Sequence, residues 1–494
     1  MNSSHEKSIN TTNTFLHDVL RLVGGSILAQ AIGILSSPII TRLFAPESFG
    51  TMALFLAISS IIGAISCFRY ELSIMLPEDK KDAGNLLATS LISVAAVSII
   101  SGLMVVSMRN SFAAILNAPD LAHYLWILPL SIFFNGVFLS LNYWNTRSKK
   151  FGILSLAKIY QSGVNNFIKL SFGFIGWASA GMLICAQIFG QIFSTSFLGI
   201  QILREDGKFL KSSIGLRRIL NNASKYKKFP LFSLWTALLN SMSVHLPTLF
   251  LTFFFSMEVL GYYALCRMVL TMPMKLIGSA VSQVFFQQAA EAKNSKQSLS
   301  VIVENVFNRL ISLSVFPILT LLIVGEELFA TFFGNQWAEA GTYAQILGMW
   351  VFVVFISSPL SNLINVIEKQ HIGLIFDSIL VVSRTAALLF GGMSGDIYLT
   401  LILYSGIGFL TWVAICYWFL GEAGVLRIKA LFCLLRYFLF SIPLICILWL
   451  AKIYLYLQPI LLVSLTFIMI IIYYTFLLIH DRDLNKSIIS YMKK

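Results

Sequence analysis

Charge is scarce in this chain, and acid is scarcer than base. Of 494 residues only 12 % are charged, 22 acids against 35 bases. A soluble protein of this length needs far more polar surface, so a water-soluble globular fold is excluded. Cysteine is sparse as well. The six thiols (Cys67, Cys185, Cys266, Cys416, Cys433 and Cys446) lie in or beside apolar segments and form no CxxC pair. Neither a disulfide framework nor a metal site is indicated. No G-x-x-x-x-G-K-[ST] run and no H-E-x-x-H set occurs, which removes P-loop nucleotide hydrolysis and zincin chemistry. Long outer loops are missing too. The outer segment 325–340, with Glu326, Glu327 and Glu339, is the small acidic cluster that a polymerase or glycosyltransferase reading would have to use. A cleavable signal is not expected, because residues 1–18 are polar and the first apolar run is too long.

What the chain has is apolar length. Its mean hydropathy is +0.82. Runs of about 20 residues recur, each long enough for a helix to cross a hydrocarbon core about 30 Å thick. Helices are expected near 19–41, 49–68, 85–108, 124–144, 153–176, 178–203, 229–254, 259–289, 304–324, 341–367, 372–394, 397–420, 433–451 and 458–480. The fold class is therefore an all-α polytopic membrane protein of about fourteen transmembrane helices. Lys and Arg alternate by connection. The two termini and the connections after even-numbered helices hold 24, and those after odd-numbered helices hold three, Arg42, Arg109 and Lys452. The positive-inside rule then places both termini in the cytoplasm. The net charge of +13 reads as basic loops beside anionic lipid, with no nucleic-acid partner.

The basic connection 204–228 divides the chain into a six-helix half, 1–203, a second half, 229–420, and two further helices with a tail, 421–494. An internal echo supports a repeat. Gly50-Thr51-Met52-Ala53-Leu54 and Gly261-Tyr262-Tyr263-Ala264-Leu265 share G-x-x-A-L at the start of helices 2 and 8, 211 residues apart. Six helices per half give both halves one orientation, the parallel arrangement of rocking transporters.

A charge at the bilayer centre costs roughly 2.5–3.5 kcal/mol on insertion scales, so such residues face a partner or a wet cavity. In the fifth segment Lys158, Gln161, Asn165 and Lys169 step by 3, 4 and 4 onto one helical face. The stripe suits an anionic, hydroxyl-rich ligand; alternatively both lysines snorkel to opposite interfaces. Weaker stripes occur in segment 6 (Gln187, Gln191, Ser194), segment 7 (Ser233, Thr236, Asn240, Ser243) and segment 10 (Ser358, Ser361, Asn362, Asn365), where helix–helix hydrogen bonding competes as an explanation. Segment 8 carries Arg267 and Lys275 with no acid on a neighbouring turn. Segment 11 carries Asp377 and Arg384 two turns apart, about 10 Å along the axis. Asp377 is the candidate for proton or sodium coupling, with a static ion pair as the alternative. His245 is a weaker titratable candidate. Arg21, Arg309 and Arg436 sit near helix ends, where they anchor at the interface.

Several stretches resemble the polysaccharide flippases of the O-antigen (Wzx) type, within the multidrug/oligosaccharidyl-lipid/polysaccharide exporter superfamily. They are Ile40-Thr41-Arg42-Leu43-Phe44-Ala45-Pro46-Glu47-Ser48-Phe49-Gly50, then Arg69-Tyr70-Glu71-Leu72-Ser73-Ile74-Met75-Leu76-Pro77 with Asp82-Ala83-Gly84-Asn85-Leu86, and Gly261-Tyr262-Tyr263-Ala264 followed by Arg267. The resemblance implies a flippase that is not an enzyme and has no cofactor. Its substrate would be an undecaprenyl-pyrophosphate-linked oligosaccharide, moved to the outer face of a bacterial inner membrane for O-antigen or capsule synthesis. It implies a cationic cavity between two six-helix halves and a groove at helices 13 and 14 for the lipid tail. A polysaccharide polymerase and a chain-length regulator are the partners it implies, along with membrane lipids. Arg42 departs from this picture, since it lies at the outer end of helix 1 and either serves an outward-facing cavity or caps the helix. The competing readings are a cation-coupled multidrug exporter of the same fold and a membrane polymerase.

Overall fold

Inside hydrocarbon a backbone has no water to bond, so a long apolar segment satisfies its own N–H and C=O groups as helix. The structure, a computed structural model, describes residues 24–294, 298–455 and 457–480. Among these residues there are helices and no strands. The long helices are α1 Gly24–Leu43, α2 Pro46–Gly63, α3 Lys80–Ile115, α4 Leu121–Arg147, α5 Phe151–Ile175, α6 Ala180–Ser213 and α7 Phe229–Phe254. They continue as α8 Met257–Lys293, α9 Leu299–Phe333, α10 Asn335–Val366, α11 Gln370–Ser394, α12 Ile397–Glu422, α13 Arg427–Ile453 and α14 Pro459–Ile479. Thirteen are long and apolar enough to cross a membrane. The remaining one, α5, has 25 residues and reaches about 37 Å; Lys158, Gln161, Asn165 and Lys169 lower its hydropathy, not its length. The chain is a multi-pass membrane protein of about fourteen helices, as its apolar runs predict. The expected cytoplasmic termini, and Arg21, lie outside the described residues.

Helices overshoot the expected spans where charged residues carry them into water. α3 has 36 residues, about 54 Å against a 30 Å core. The expected basic loop 204–228 is largely helical: α6 runs on to Ser213 and a short helix follows at Leu216–Lys225. Polar contacts tie this extension down. Asp206 accepts from Lys80 at 2.6 Å and from the Trp144 indole at 3.0 Å, Lys150 pairs with Glu205, and Asn222 donates to Asp82 at 3.1 Å.

Proline marks the irregular turns. Without an N–H, Pro cannot hold the regular ladder. Pro230 lies in a π-helical turn at Phe229–Ser233, Pro273 precedes another at Met274–Gly278, and Pro359 lies in a 3-10 segment at Ser358–Asn362. α5 and α11 both end on a left-handed glycine, Gly176 (φ 88°) and Gly395 (φ 71°), which terminates a helix without Cβ strain.

Contacts divide the chain into one compact unit ending at Gly261 and a second beginning at Tyr262. The division at 204–228 read from the sequence follows the repeat of helices; this one follows packing. α7 and the first turn of α8 belong with α2, where Ser241 Oγ donates to the Ser60 carbonyl at 3.3 Å. In the second unit α13 and α14 are fastened to α9. Tyr473 and Tyr474 donate to the carbonyls of Ser312 and Leu313, each at 2.8 Å. Tyr473 stacks on Phe316, and Lys452 pairs with Glu327 at 2.9 Å.

Candidate functional site

The polar stripe of α5 sits where three helices of the first unit meet. Ser162 Oγ donates to the Ala29 carbonyl at 2.6 Å, and Lys158 Nζ to Ser26 Oγ at 3.1 Å, which tie α5 to α1. Asn165 Nδ2 donates to Gln187 Oε1 of α6 at 2.7 Å. Gly190 permits this crossing, since a Cβ there would approach the Gln161 carbonyl to 2.7 Å. The stripe is thus partly used for helix contact. Asn165 Oδ1 stays buried and unbonded. Among the described residues no carboxylate pairs with Lys158, and nothing bonds the Lys169 ammonium.

In the second unit the structure brings together residues that are far apart in sequence. The Arg384 guanidinium of α11 lies 4.6 Å from the Trp350 ring centroid and 5.4 Å from that of Tyr404, on α10 and α12. Tyr263 and Arg267 of α8 lie near it. Three buried donors in this cluster have no partner, Arg384 Nε, Arg384 Nη2 and Trp350 Nε1. Buried donors are nearly always bonded, so three open ones around one guanidinium mark a place for an acceptor. Gly408 makes room for the indole, because a Cβ there would come within 2.9 Å of it. The tandem Arg267 and Arg384 was visible in the sequence as two isolated cations. Trp350, Tyr404 and Tyr263 were not, because an aromatic residue in an apolar run looks like any lipid-facing ring.

The other candidates lie elsewhere. Lys275 is exposed in the π-helical turn after Pro273, Asp377 is exposed on α11, and Arg42 is exposed in the last turn of α1. Asp377 has no ion-pair partner among the described residues. Of the acids in segment 325–340, Glu327 holds Lys452 and Glu339 accepts from the Tyr398 hydroxyl at 2.7 Å. Asn362 donates to Ser282 Oγ at 2.9 Å, so the α10 stripe serves helix contact.

The most buried described acid is Glu71, 1 % exposed, in a turn that sequence reasoning treated only as part of a motif. Phe68 and Arg69 both adopt left-handed backbone, φ 47° and 63°, a strained pair for residues with side chains. The turn brings Arg69 to 3.2 Å from Glu71. Glu71 Oε2 and Arg69 Nε remain unbonded. Burial, more than the Arg69 charge can offset, holds the Glu71 carboxyl above its ordinary range. Breaking a buried pair leaves an uncompensated charge, so Arg69→Ala should destabilise the protein by about 3 kcal/mol near neutral pH. The native state also keeps its Glu71 proton at a pH where the unfolded chain has lost it. Stability should therefore fall as pH rises from the ordinary carboxylate pKa through the raised one, and Glu71→Gln should flatten that slope. Thermal unfolding in detergent across pH 4–8 checks both.

One further contact involves the sequence echo. A Cβ on Gly50 would lie 1.8 Å from the Met257 carbonyl oxygen, and a Cβ on Gly261 would lie 1.9 Å from that of Pro46. The first turns of α2 and α8 cross backbone to backbone. Each glycine of the repeat rests on the residue four before the other.

Residues 39–342, more than half of the chain, match the family described as polysaccharide biosynthesis protein. The chain belongs to this family. Within it, the chain is 24 % identical over 267 residues to the teichuronic acid biosynthesis protein TuaB of Bacillus subtilis (strain 168), covering 53 % of this chain. The match spans about half of that relative, 54 % of its length. It is 21 % identical over 395 residues to the succinoglycan biosynthesis transport protein ExoT of Rhizobium meliloti (strain 1021), covering 77 % of this chain and 75 % of that protein. In fold it is similar to the lipid II flippase MurJ in an inward closed conformation, with a TM-score of 0.72, 14 % identity, and coverage of 93 % of this chain and 99 % of that one. The family resemblance read from the three motif stretches agrees with these matches. This member of the polysaccharide biosynthesis family therefore has a fold similar to that of MurJ.

Proposed function

We propose that this protein is a flippase for a lipid-linked oligosaccharide in surface polysaccharide synthesis. The cargo is an undecaprenyl-pyrophosphate-linked repeat unit, moved by alternating access from the cytoplasmic to the outer face of a bacterial inner membrane. Both termini are then cytoplasmic. The observation that carries the reading is the trio of open buried donors around Arg384. A guanidinium fork matches phosphate oxygens bidentately, and the Trp350 and Tyr404 rings beside it offer apolar faces to sugar C–H groups. Lys158 and Lys169 add positive charge that no carboxylate among the described residues pairs, and Arg267 adds a third cation, which favours an anionic cargo over a cationic drug.

The lipid tail has a separate place. An apolar cavity of about 500 Å³ in the second unit is lined by Phe307 and Ile318 of α9, Phe352 of α10, Phe409 of α12, and Leu431 and Phe438 of α13. It suits a prenyl chain, although α14, which the resemblance also implies, contributes nothing to its lining.

No nucleotide is needed. One charge crossing 100 mV exchanges about 2.3 kcal/mol, so a pyrophosphate with two negative charges gains about 4–5 kcal/mol moving outward. Coupling to protons or sodium would fall to Asp377. A polymerase and a chain-length regulator would act on the product outside.

Deleting the gene tests this reading. The expected result is complete single repeats trapped on the cytoplasmic face, with surface polymer lost. Single repeats exposed on the outer face would point to a polymerase or ligase and overturn it.

A further inference from the structure

The basic segment between α6 and α7 has no part in the transport reading, yet it forms a defined cavity. The geometry points to a phosphate-binding site at the N-terminus of the helix Leu216–Lys225, built from Lys81, Ser212, Ser213, Arg217 and Arg218. These residues, together with Gly215, line one cavity of about 540 Å³ in the first unit.

Four observations converge on an anion. The helix has ten residues, and its N-cap is Gly215, which offers no side chain to cap it. No side chain caps its first N–H groups, and a helix N-terminus favours negative charge. Second, the cap position is open, since a Cβ on Gly215 would meet nothing within 4 Å. Third, Ser213 is 6 % exposed and lines the cavity, and its buried Oγ has no partner. Fourth, Lys81, Arg217 and Arg218 converge there, and none of them is in an ion pair among the described residues. The nearby acid Asp82 is already engaged by Asn222.

The cradle is also fixed in place. Asn85 is fully buried. Its Nδ2 donates to the Ser213 carbonyl at 3.0 Å, and its Oδ1 accepts from Gly215 N at 3.0 Å. One side chain of α3 thus holds both ends of the turn that presents the site, so little ordering remains when a ligand enters.

The ligand is a phosphate group, and the surroundings favour a lipid as its source. Leu216 and Leu220, one turn apart, are 73 % and 61 % exposed. A basic helix with an exposed apolar edge lies at a membrane surface, and basic clusters beside transmembrane helices attract anionic headgroups. The site takes an inner-leaflet anionic phospholipid by its phosphate, while a soluble phosphoanion offers the same chemistry from the other side.

The test uses the full chain, purified in detergent and in nanodiscs. Phosphatidylglycerol, against phosphatidylcholine alone, and inorganic pyrophosphate are the two probes, read by thermal shift and by retained lipid in native mass spectrometry. Gly215→Asp places a carboxylate at the cap, where Asp is favoured, so the variant should fold at least as well while filling the site with its own anion. Arg217→Gln/Arg218→Gln removes the cations. Expected is phosphatidylglycerol retention by the parent and about tenfold weaker retention in both variants, the loss of one or more charged hydrogen bonds. Protection of the parent by pyrophosphate alone, lost in both variants, would support the phosphate site and assign it to a soluble anion. Equal retention and equal shifts in parent and variants would overturn the site.

Discussion

Arg384→Ala should cut transport of lipid-linked oligosaccharide by about tenfold to a hundredfold while the protein still reaches the membrane. Each hydrogen bond to a charged group contributes about 1.5–3 kcal/mol, and a factor of ten corresponds to about 1.4 kcal/mol. Two buried guanidinium donors are unbonded, and losing two bonds at the low end of that value, about 3 kcal/mol, already gives about a hundredfold. The conservative change separates charge from shape. Arg384→Lys keeps the positive charge but not the planar fork or its stacking on Trp350, and an ammonium cannot replace a bidentate guanidinium. It should recover only part of the activity. Trp350→Phe keeps the ring and loses one open donor, so its effect should be smaller than that of Arg384→Ala. Transport of labelled lipid-linked substrate in inverted vesicles, normalised to protein level, gives all three values. Full activity in Arg384→Ala would remove this cluster from the binding site.

The second large effect is expected at the glycine crossing. Gly50→Ala puts a methyl group 1.8 Å from a carbonyl oxygen of the α8 first turn, and Gly261→Ala puts one 1.9 Å from a carbonyl of α2. Neither oxygen belongs to a flexible side chain, so the two helix starts must separate. Overpacking typically costs 1–3 kcal/mol, and backbone against backbone sits at the top of that range. In the topology proposed above, with both termini cytoplasmic, these turns lie on the outer side. Either substitution should therefore hold the outer side open and stop alternation, with transport falling about a hundredfold. A cysteine placed at Ser48 should react faster with a membrane-impermeant thiol reagent in Gly50→Ala than in the parent. Unchanged labelling and transport would show that the crossing is not part of the transport cycle.

The sequence revealed the helices because apolar length is a property of each segment alone. Charge outside the bilayer set the alternation of Lys and Arg for the same reason. The α5 stripe was legible because a helix of known period places Lys158, Gln161, Asn165 and Lys169 on one face before any packing is known. What lay hidden depends on packing between segments. Trp350, Arg384 and Tyr404 come from three helices, and nothing local tells a site aromatic from a lipid-facing one. Glu71 looked like a loop acid, and its burial depends on the strained turn at Phe68 and Arg69. The helix at Leu216–Lys225 was hidden in a stretch whose many basic residues read as loop. The glycine echo was visible as a repeat, but its meaning as a backbone crossing needed the structure. Asp377 shows the converse, since depth along a helix did not make it buried.

Reconstitution of the purified protein into liposomes tests the central claim most directly. Fluorescent undecaprenyl-pyrophosphate oligosaccharide is placed in both leaflets, and its accessibility to a membrane-impermeant glycan-modifying enzyme is followed over time. The account predicts that the parent protein exposes the inner-leaflet pool without nucleotide, and that Arg384→Ala at equal protein density does so far more slowly. An inner-leaflet pool that stays protected with the parent protein, in the presence of a membrane potential, would contradict it.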